Sequence, residues 1–141
     1  MIFAATPIPG AHVIALEQRA DERGFFARTW CRDEFARAGI PVEMVQASLS
    51  HNQCAGTLRG MHFAWPPANE AKLVRCERGA VHDVILDLRP DSPAYQQHFA
   101  IVLDDKQCNA LYIPPGVAHG FQTLADDCDV LYMMTDRKSV V

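Results

Sequence analysis

Short runs of β-branched and aromatic residues, several of them alternating with polar positions, recur along the chain between Gly, Pro, Asp and Asn residues. Runs of about four to eight residues bounded by turn formers are typical of strands, and their frequent return favours a sandwich or barrel. The predicted strands cover residues 12–17, 42–50, 57–63, 71–76, 81–88, 98–103, 110–113, 120–123 and 130–136. The pattern therefore predicts an all-β fold.

The segments between these strands contain residues that favour turns. Pro114-Pro115-Gly116 supplies a glycine where a tight turn needs positive φ, and the prolines of residues 89–93 lack the donor that a central strand needs. One short helix is predicted over residues 31–39, because good helix formers follow early acidic residues and precede Gly39.

Length and hydrophobic content predict one domain. The chain has 141 residues, of which 49% are hydrophobic, and this is the usual size of a domain with a substantial core. No linker, repeat or low-complexity stretch divides it, so we expect a single domain over residues 1–141. The N-terminus has no basic leader, and no segment approaches the roughly 18 apolar residues of a spanning helix. We therefore expect a cytoplasmic protein that does not enter a membrane.

Charge and cysteine content disfavour several kinds of partner. The formal net charge is −4, and the 13 Lys and Arg residues are scattered, so the chain presents no basic field for nucleic acid. The five cysteines form an odd set without a CxxC pair, which disfavours a disulfide framework or a thiolate zinc site. An anionic small ligand needs clustered cations, for which Arg23, Arg59 and Lys72 are the candidates.

The densest group of chemically active residues lies in residues 56–63, Gly-Thr-Leu-Arg-Gly-Met-His-Phe. Because residues two apart in a strand share a face, His62 is expected on the face opposite Arg59. A bulge near Gly60 would bring both to one side, although the sequence alone does not show such a bulge.

A second group lies in residues 113–121, where Pro114-Pro115-Gly116-Val117-Ala118-His119 fits the Pro-x-Gly-x-x-His signature of cupin barrels. Gly56 and His62 fit the beginning of the first cupin signature. Metal-binding cupins add a second histidine two residues after the first, and here Ala64 occupies that position. A metal site would have to use His62, His119 and Glu70, and the loss of one imidazole weakens such a site.

The order of these motifs resembles that of the dTDP-4-dehydrorhamnose 3,5-epimerases, a family of cupin-type nucleotide-sugar epimerases. The resemblance implies a double-stranded β-helix, or jelly roll, with one short helix. It also implies epimerisation beside the ketone of a nucleotide-linked 4-keto-6-deoxyhexose, without metal or cofactor. The matching residues are Asp21-Glu22-Arg23-Gly24-Phe25-Phe26, Arg59-Gly60-Met61-His62, Lys72-Leu73-Val74-Arg75-Cys76, Asp83–Arg89, Ser92-Pro93, Ile113–Phe121 and Tyr132.

The resemblance assigns the acid and base of this reaction. A base removes the acidified proton beside the C4 ketone, and an acid returns a proton to the opposite face. His62 matches the family's base, and histidine suits the role because its ordinary pKa of about 6.5 lies near cellular pH. Tyr132 matches the proton donor across the sugar. Lys72 would stabilise the developing oxyanion, because a positive charge acts strongly in a water-poor cavity.

The resemblance also implies the binding residues. Arg23 and Arg59 match residues that hold the diphosphate, a task suited to the guanidinium fork. Gln46 matches a position that contacts the nucleotide or the sugar, and His119 matches a second substrate-contacting imidazole. Asp83 is a minor candidate, which either orients a histidine or only begins a strand. A homodimer is implied as well, with the apolar N-terminal segment as an exchanged or packed strand.

Several positions depart from the family pattern. Ala64 stands where the family has a glutamine, Arg28 where it has an acid, and Gln46-Ala47-Ser48 where it has Gln-Asp-Asn. The family's base-stacking tyrosine and the carboxylate that orients its catalytic histidine have no counterpart before Val141. Three interpretations follow: a shortened epimerase, an epimerase with another sugar preference, or a relative without catalysis.

Two functions of other kinds therefore remain open. One is a cupin that binds a nucleotide sugar, or another anionic small molecule, without turning it over. The other is a metal-dependent cupin enzyme that uses His62, His119 and Glu70.

Overall fold

Antiparallel strands and one short helix form the regular structure of the computed structural model, which describes residues 1–136. The departures expected at the end of the chain fall partly on residues 137–141, which lie outside the described residues. The elements are β1 (Ile2–Ala5), β2 (His12–Ala15), β3 (Arg19–Asp21), β4 (Gly24–Phe26), α1 (Arg32–Arg37), β5 (Gln46–Asn52), β6 (Leu58–His62), β7 (Lys72–Arg78), β8 (Ala80–Asp87), β9 (His98–Asp104), β10 (Ala110–Ile113), β11 (Val117–Thr123) and β12 (Cys128–Met134).

Two open antiparallel sheets face each other across the main core. The large sheet has the strand order β1-β2-β10-β7-β12-β5, and the small sheet has the order β6-β11-β8-β9. Alternate residues of both sheets point into the core, as the period of two requires. Val74 and Val130 of the large sheet meet Ile85 and Phe121 of the small sheet there, and all four are buried. The side of each sheet that faces the other is called the inner face below.

The outer face of the large sheet is covered by α1. Phe35 of the helix is fully buried against Leu73 and Tyr112, in a second apolar cluster with Ile14. Because β7 and β10 are covered on both faces, residues 73–76 and 110–113 are all buried instead of alternating between buried and exposed. Among residues 1–136, no helix is long and apolar enough to cross a membrane.

Most predicted elements are confirmed, and the all-β expectation is correct. Strand β10 has the predicted bounds, and α1 is a shortened form of the predicted helix. The strand predicted over residues 42–50 is wrong at its start, because Val42 and Met44 pack against the apolar cluster around α1 while β5 begins at Gln46. The strand predicted from residue 120 begins at Val117, so that His119 lies inside β11.

Three short strands were not predicted. β1 pairs with β2 of the same chain, with Ile2 opposite Ala15, so the N-terminal segment is a packed strand in this structure. β3 and β4 form a separate two-stranded hairpin, with Arg19 opposite Phe26. Each has only three or four residues, which is too short for a period-two pattern to be recognised in a sequence.

Candidate active site

Lys72 and Tyr132 lie on the inner face of the large sheet, in neighbouring rows. Met134 of β12 is opposite Lys72 of β7, and Tyr132 is opposite Val74. The edge strand β5 places Gln46 opposite Met134. Because Val74 belongs to the main core and residues two apart share a face, Lys72 and Tyr132 both point toward the small sheet. The amide of Gln46 donates a hydrogen bond to the main-chain oxygen of Asp136.

A bulge in β6 brings Arg59 and His62 to the same face of the small sheet. His62 pairs with His119 and Arg59 pairs with Phe121, so the register shifts by one residue between the two pairs. Side chains three apart in a regular strand face opposite ways, and the extra residue of a bulge reverses one of them. The bulge thus removes the expected separation of Arg59 from His62. The bulge lies at Gly60, the position at which the sequence analysis considers a bulge.

Gly60 is required by the geometry of this bulge. Its φ is +98°, in the region that favours glycine. A Cβ at this position would lie 2.6 Å from the main-chain oxygen of His119 and 2.8 Å from Cα of Gly120. Neither neighbour is a flexible side chain, so a larger residue would displace β6 from β11 and move His62.

His119 and Asp83 form a buried pair on the inner face of the small sheet. Nε2 of His119 donates to the Asp83 carboxylate, with distances of 2.9 and 3.0 Å to its two oxygens. Both residues have 0% exposure. The His119 ring stands edge-on to the Tyr132 ring, with centroids 5.7 Å apart. This ring contact joins the two sheets beside His62. The hydrogen bonds between Asp83 and His119 confirm the option that Asp83 orients a histidine.

The environments of His62 and Tyr132 shift their pKa values in opposite directions. Partial removal from water lowers the pKa of His62, and electrostatic interactions with Lys72, His119 and Arg59 lower it further. Burial raises the pKa of Tyr132, and the negative charge of Asp83 adds to the rise. At neutral pH the imidazole of His62 is therefore mainly the neutral base, while the Tyr132 hydroxyl keeps its proton. Groups with pKa values separated in this way are suited to act as a base and an acid.

Lys72 is held by a carboxylate at the start of β7. Its Nζ lies 3.1 Å from Oε1 of Glu70, and the side chains are only 13% and 5% exposed. The pair keeps the ammonium group on the inner face, where its charge acts on His62.

Arg59 is anchored to the neighbouring strand β5. Its Nε donates to Oδ1 of Asn52 at 2.6 Å, and one terminal nitrogen lies 3.4 Å from the main-chain oxygen of His51. The guanidinium charge acts on both His62 and Tyr132. His62, Arg59, Lys72, His119 and Tyr132 therefore form one group, which is called the His62 cluster below.

Arg23 is a predicted site residue that lies away from the His62 cluster, on the β3–β4 hairpin. It lies at the tip of the β3–β4 hairpin, and its side chain is 85% exposed. Its polar contacts among residues 1–136 are with Asp21, whose carboxylate lies 2.6 Å from a terminal nitrogen of Arg23. The same ion pair lowers the pKa of Asp21.

Arg28, one of the departures from the family pattern, also lies outside this cluster. It pairs with Glu34 of α1 at 3.2 Å. The two residues help to line a cavity of about 290 Å³, which also includes Met1 and Glu17. The amino group of Met1 lies 2.8 Å from Glu34, so the cavity contains several charges that already have partners.

The metal-site alternative lacks a gathered set of ligands in the described part of the chain. No three His, Cys, Asp or Glu side chains of residues 1–136 are grouped to hold a metal ion. Of the three expected ligands, Glu70 is paired with Lys72 and Nε2 of His119 is paired with Asp83. The geometry therefore gives this alternative no support.

Sequence reasoning missed two polar partners at this site. The sequence motifs do not single out Asn52, and they indicate Glu70 only as a metal ligand. Neither residue lies in a catalytic motif, and the contact of Asn52 with Arg59 depends on the bulge in β6. For Glu70 a signal was available, since an acid two residues before an inward-facing lysine predicts an ion pair.

Together, the two facing sheets and the His62 cluster define a jelly-roll protein with a cationic site for acid and base chemistry. The family model described as dTDP-4-dehydrorhamnose 3,5-epimerase matches residues 5–139. The chain belongs to this family, whose cupin-type fold it shares.

Individual relatives support the family assignment. A dTDP-4-dehydrorhamnose 3-epimerase of Streptomyces niveus is 42% identical over 127 residues, which cover 89% of this chain and 61% of that protein. A dTDP-4-dehydrorhamnose 3,5-epimerase of Mycolicibacterium smegmatis is also 42% identical, with 89% and 63% covered. The chain thus spans less than two thirds of the length of these relatives.

A solved structure extends the likeness to the fold. The crystal structure of dTDP-4-dehydrorhamnose 3,5-epimerase from Bacillus anthracis, with TDP and PPi bound, matches with a TM-score of 0.95. The identity is 33%, and the match covers 99% of this chain and 79% of that chain. The double-stranded β-helix predicted from the sequence is therefore confirmed.

Proposed function

We propose that the chain is an epimerase of a nucleotide-linked 4-keto-6-deoxyhexose that works without a metal or a cofactor. The observation that carries the proposal is geometric: His62 lies opposite His119 on the adjacent strand, and the His119 ring contacts Tyr132. The lowered pKa of His62 and the raised pKa of Tyr132 keep the first residue a neutral base and the second a protonated acid at neutral pH. Enolisation beside a ketone requires both states at the same pH. The named relatives act on sugars of this class, which supports the choice of substrate.

The proposed reaction has two proton transfers. Nε2 or Nδ1 of neutral His62 takes the proton from the carbon beside the C4 ketone, and the electron pair moves to the ketone oxygen. The ammonium group of Lys72 stabilises the resulting oxyanion. The Tyr132 hydroxyl then gives its proton to the opposite face of that carbon, and the ketone re-forms. Solvent restores the protonation states of His62 and Tyr132.

The proposal assigns the remaining site residues to binding. Arg59 holds the diphosphate, as a guanidinium group suits a phosphate oxygen pair. Gln46 lies in the same row as Lys72, so we assign it to the sugar or nucleotide. His119, which is held by Asp83, lies between the base His62 and the acid Tyr132, and we assign it to contact with the sugar.

The proposal also includes a cytoplasmic homodimer. Arg23 lies apart from the His62 cluster in its own chain, on a hairpin whose Phe25 and Phe26 are 51% and 75% exposed. A second copy would cover these rings and give Arg23 a diphosphate to bind. Sedimentation of the wild type and of Phe26→Ser tests this part, since the variant should be monomeric. A wild-type monomer would contradict the dimer without affecting the chemistry.

The direct test is proton NMR of dTDP-4-keto-6-deoxyglucose in deuterated buffer with the purified chain. Loss of the C3 and C5 proton signals is expected for a 3,5-epimerase, and loss of one signal for a single-site epimerase. Line broadening of the ligand without loss of either signal would contradict the epimerase proposal. That result would favour the alternative of a cupin that binds a nucleotide sugar without turnover.

A further inference from the structure

Asn52 is a buried polar residue that the proposed reaction does not use. It ends β5 and is 2% exposed. Its amide nitrogen donates to the main-chain oxygens of Ser50 and Cys128, at 3.2 and 3.3 Å. Since these partners are acceptors, they fix the orientation of the side chain and leave Oδ1 as its free acceptor. The Asn52 side chain is thus immobilised by the large sheet.

The acceptor of Asn52 points at the guanidinium group of Arg59. The distance from Arg59 Nε to Asn52 Oδ1 is 2.6 Å, and the contact connects the edge strands of the two sheets, β5 and β6. Arginine has five N–H donors, and this bond uses the one that lies nearest the aliphatic stem. One further donor reaches the oxygen of His51 at 3.4 Å. The remaining terminal N–H groups have no protein partner among residues 1–136.

Arg59 is solvent-exposed, and a long exposed side chain without an anchor samples many rotamers. Immobilising such a side chain when a ligand binds costs affinity. The Asn52 contact fixes the guanidinium plane before binding, in the position from which its charge acts on His62 and Tyr132.

We propose that Asn52 is a positioning residue for the phosphate-bearing part of the substrate, which it favours by holding Arg59 with its terminal N–H groups available. The inference rests on the proposed function, because it takes Arg59 as the diphosphate ligand. Asn52 is therefore expected to increase the affinity for a nucleoside diphosphate, but not the affinity for the nucleoside without its phosphates.

The test compares Asn52→Ala with Asn109→Ala by calorimetric binding of dTDP and of thymidine. Asn109 is a matched control, because it is also a buried asparagine, 7% exposed. Its side chain accepts a hydrogen bond from the main-chain N–H of Asp104 and donates one to the main-chain oxygen of Val102, both in β9. Asn52→Ala is expected to weaken dTDP binding by about five- to tenfold and to change thymidine binding by less than about twofold. Asn109→Ala should change neither. Equal affinity for dTDP in Asn52→Ala and wild type would overturn the proposal.

Two further variants separate positioning from a merely structural role. In an Arg59→Lys background, Asn52→Ala should have no additional effect on dTDP binding, and a full additional loss would overturn the proposal. Asn52→Asp keeps the shape of the side chain, so it serves if the alanine variant does not fold. Its carboxylate competes with the diphosphate for Arg59, so dTDP binding should again weaken, and unchanged binding would overturn the proposal.

An observation without ligand distinguishes this proposal from the proposed function. The Nε–H resonance of Arg59, assigned with Arg59→Lys, should exchange slowly with water in the wild type and fast in Asn52→Ala. If the wild type does not bind dTDP, the part of the proposed function that assigns Arg59 to a diphosphate is wrong. A fast-exchanging Nε–H in a wild type that does bind dTDP would overturn only the role of Asn52.

Discussion

Asp83 accepts a hydrogen bond from Nε2 of His119 at 2.9 Å, and neither residue is accessible to solvent. The pair stands on the inner face of the small sheet, next to His62 on the adjacent strand. The ring of His119 packs edge-on against Tyr132 of the large sheet, so the pair also fixes the position of Tyr132. The acid and the base of the proposed reaction are therefore placed around one rigid polar pair.

The first prediction concerns the stability contributed by this pair. Asp83→Ala leaves a buried imidazole without its acceptor, so the free energy of unfolding should fall by about 3 kcal/mol. Urea unfolding measures the change. Asp129→Ala is the matched control, because Asp129 pairs with the exposed His51 at 2.6 Å, and exposed pairs contribute about 1 kcal/mol or less. Equal losses in the two variants would contradict the account.

The second prediction concerns the bulge in β6. Gly60→Ala places a Cβ 2.6 Å from a main-chain oxygen at positive φ, so it should lower the free energy of unfolding by about 2 to 4 kcal/mol. Gly56→Ala is the control, since Gly56 has a φ of +81° but no atom within 4 Å of its Cβ. Its loss should be about 1 kcal/mol. Thermal or urea unfolding of the two variants distinguishes the steric clash from the backbone cost.

The third prediction concerns pH. Because the pKa of His62 is lowered, the acidic limb of kcat/KM should lie below the ordinary histidine value of about 6.5. Lys72→Met removes one of the charges that lower this pKa, so the limb should move to higher pH, while the maximal rate falls. Rate measurements between pH 5 and 9 test both effects. A limb that stays in place would show that Lys72 does not act on the base.

The same shift fixes the sign of a stability effect. A histidine with a lowered pKa in the folded state binds its proton more readily when unfolded. The contribution of His62 to stability is therefore complete above about pH 6.5 and is lost as the pH falls through the folded-state pKa. Wild type should lose more stability than His62→Asn between pH 7.5 and 5, as measured by urea unfolding. The opposite order would contradict the direction of the shift.

Much of this arrangement was predictable from the sequence. The strands of the two sheets follow from apolar runs between turn formers, and the ordered motifs named His62, Lys72, Tyr132 and His119. Face parity, however, wrongly separated Arg59 from His62, since a bulge depends on how β6 pairs with β11. The partner of Asp83 was likewise undecided, because its choice of histidine is set by the tertiary packing of β8 against β11. Local patterns contain no information on either contact.

The fourth prediction concerns the acid. Tyr132→Phe removes the proposed proton donor but keeps the ring contact with His119, so folding should be unchanged. Inversion should slow by about 10² to 10⁴-fold, the usual contribution of a general acid. Exchange of the substrate proton with solvent, which His62 performs, should persist. Proton NMR follows both processes in one sample, and equal loss of exchange and inversion would contradict the separation of roles.

The most direct test of the central claim is solvent-deuterium exchange at C3 and C5 of dTDP-4-keto-6-deoxyglucose by His62→Asn. The account predicts that wild type exchanges at least one of these protons and that His62→Asn exchanges neither, with an unchanged fold by circular dichroism. His98→Asn, at an exposed histidine of β9, should behave like wild type. Exchange by His62→Asn at the wild-type rate would contradict the assignment of His62 as the base.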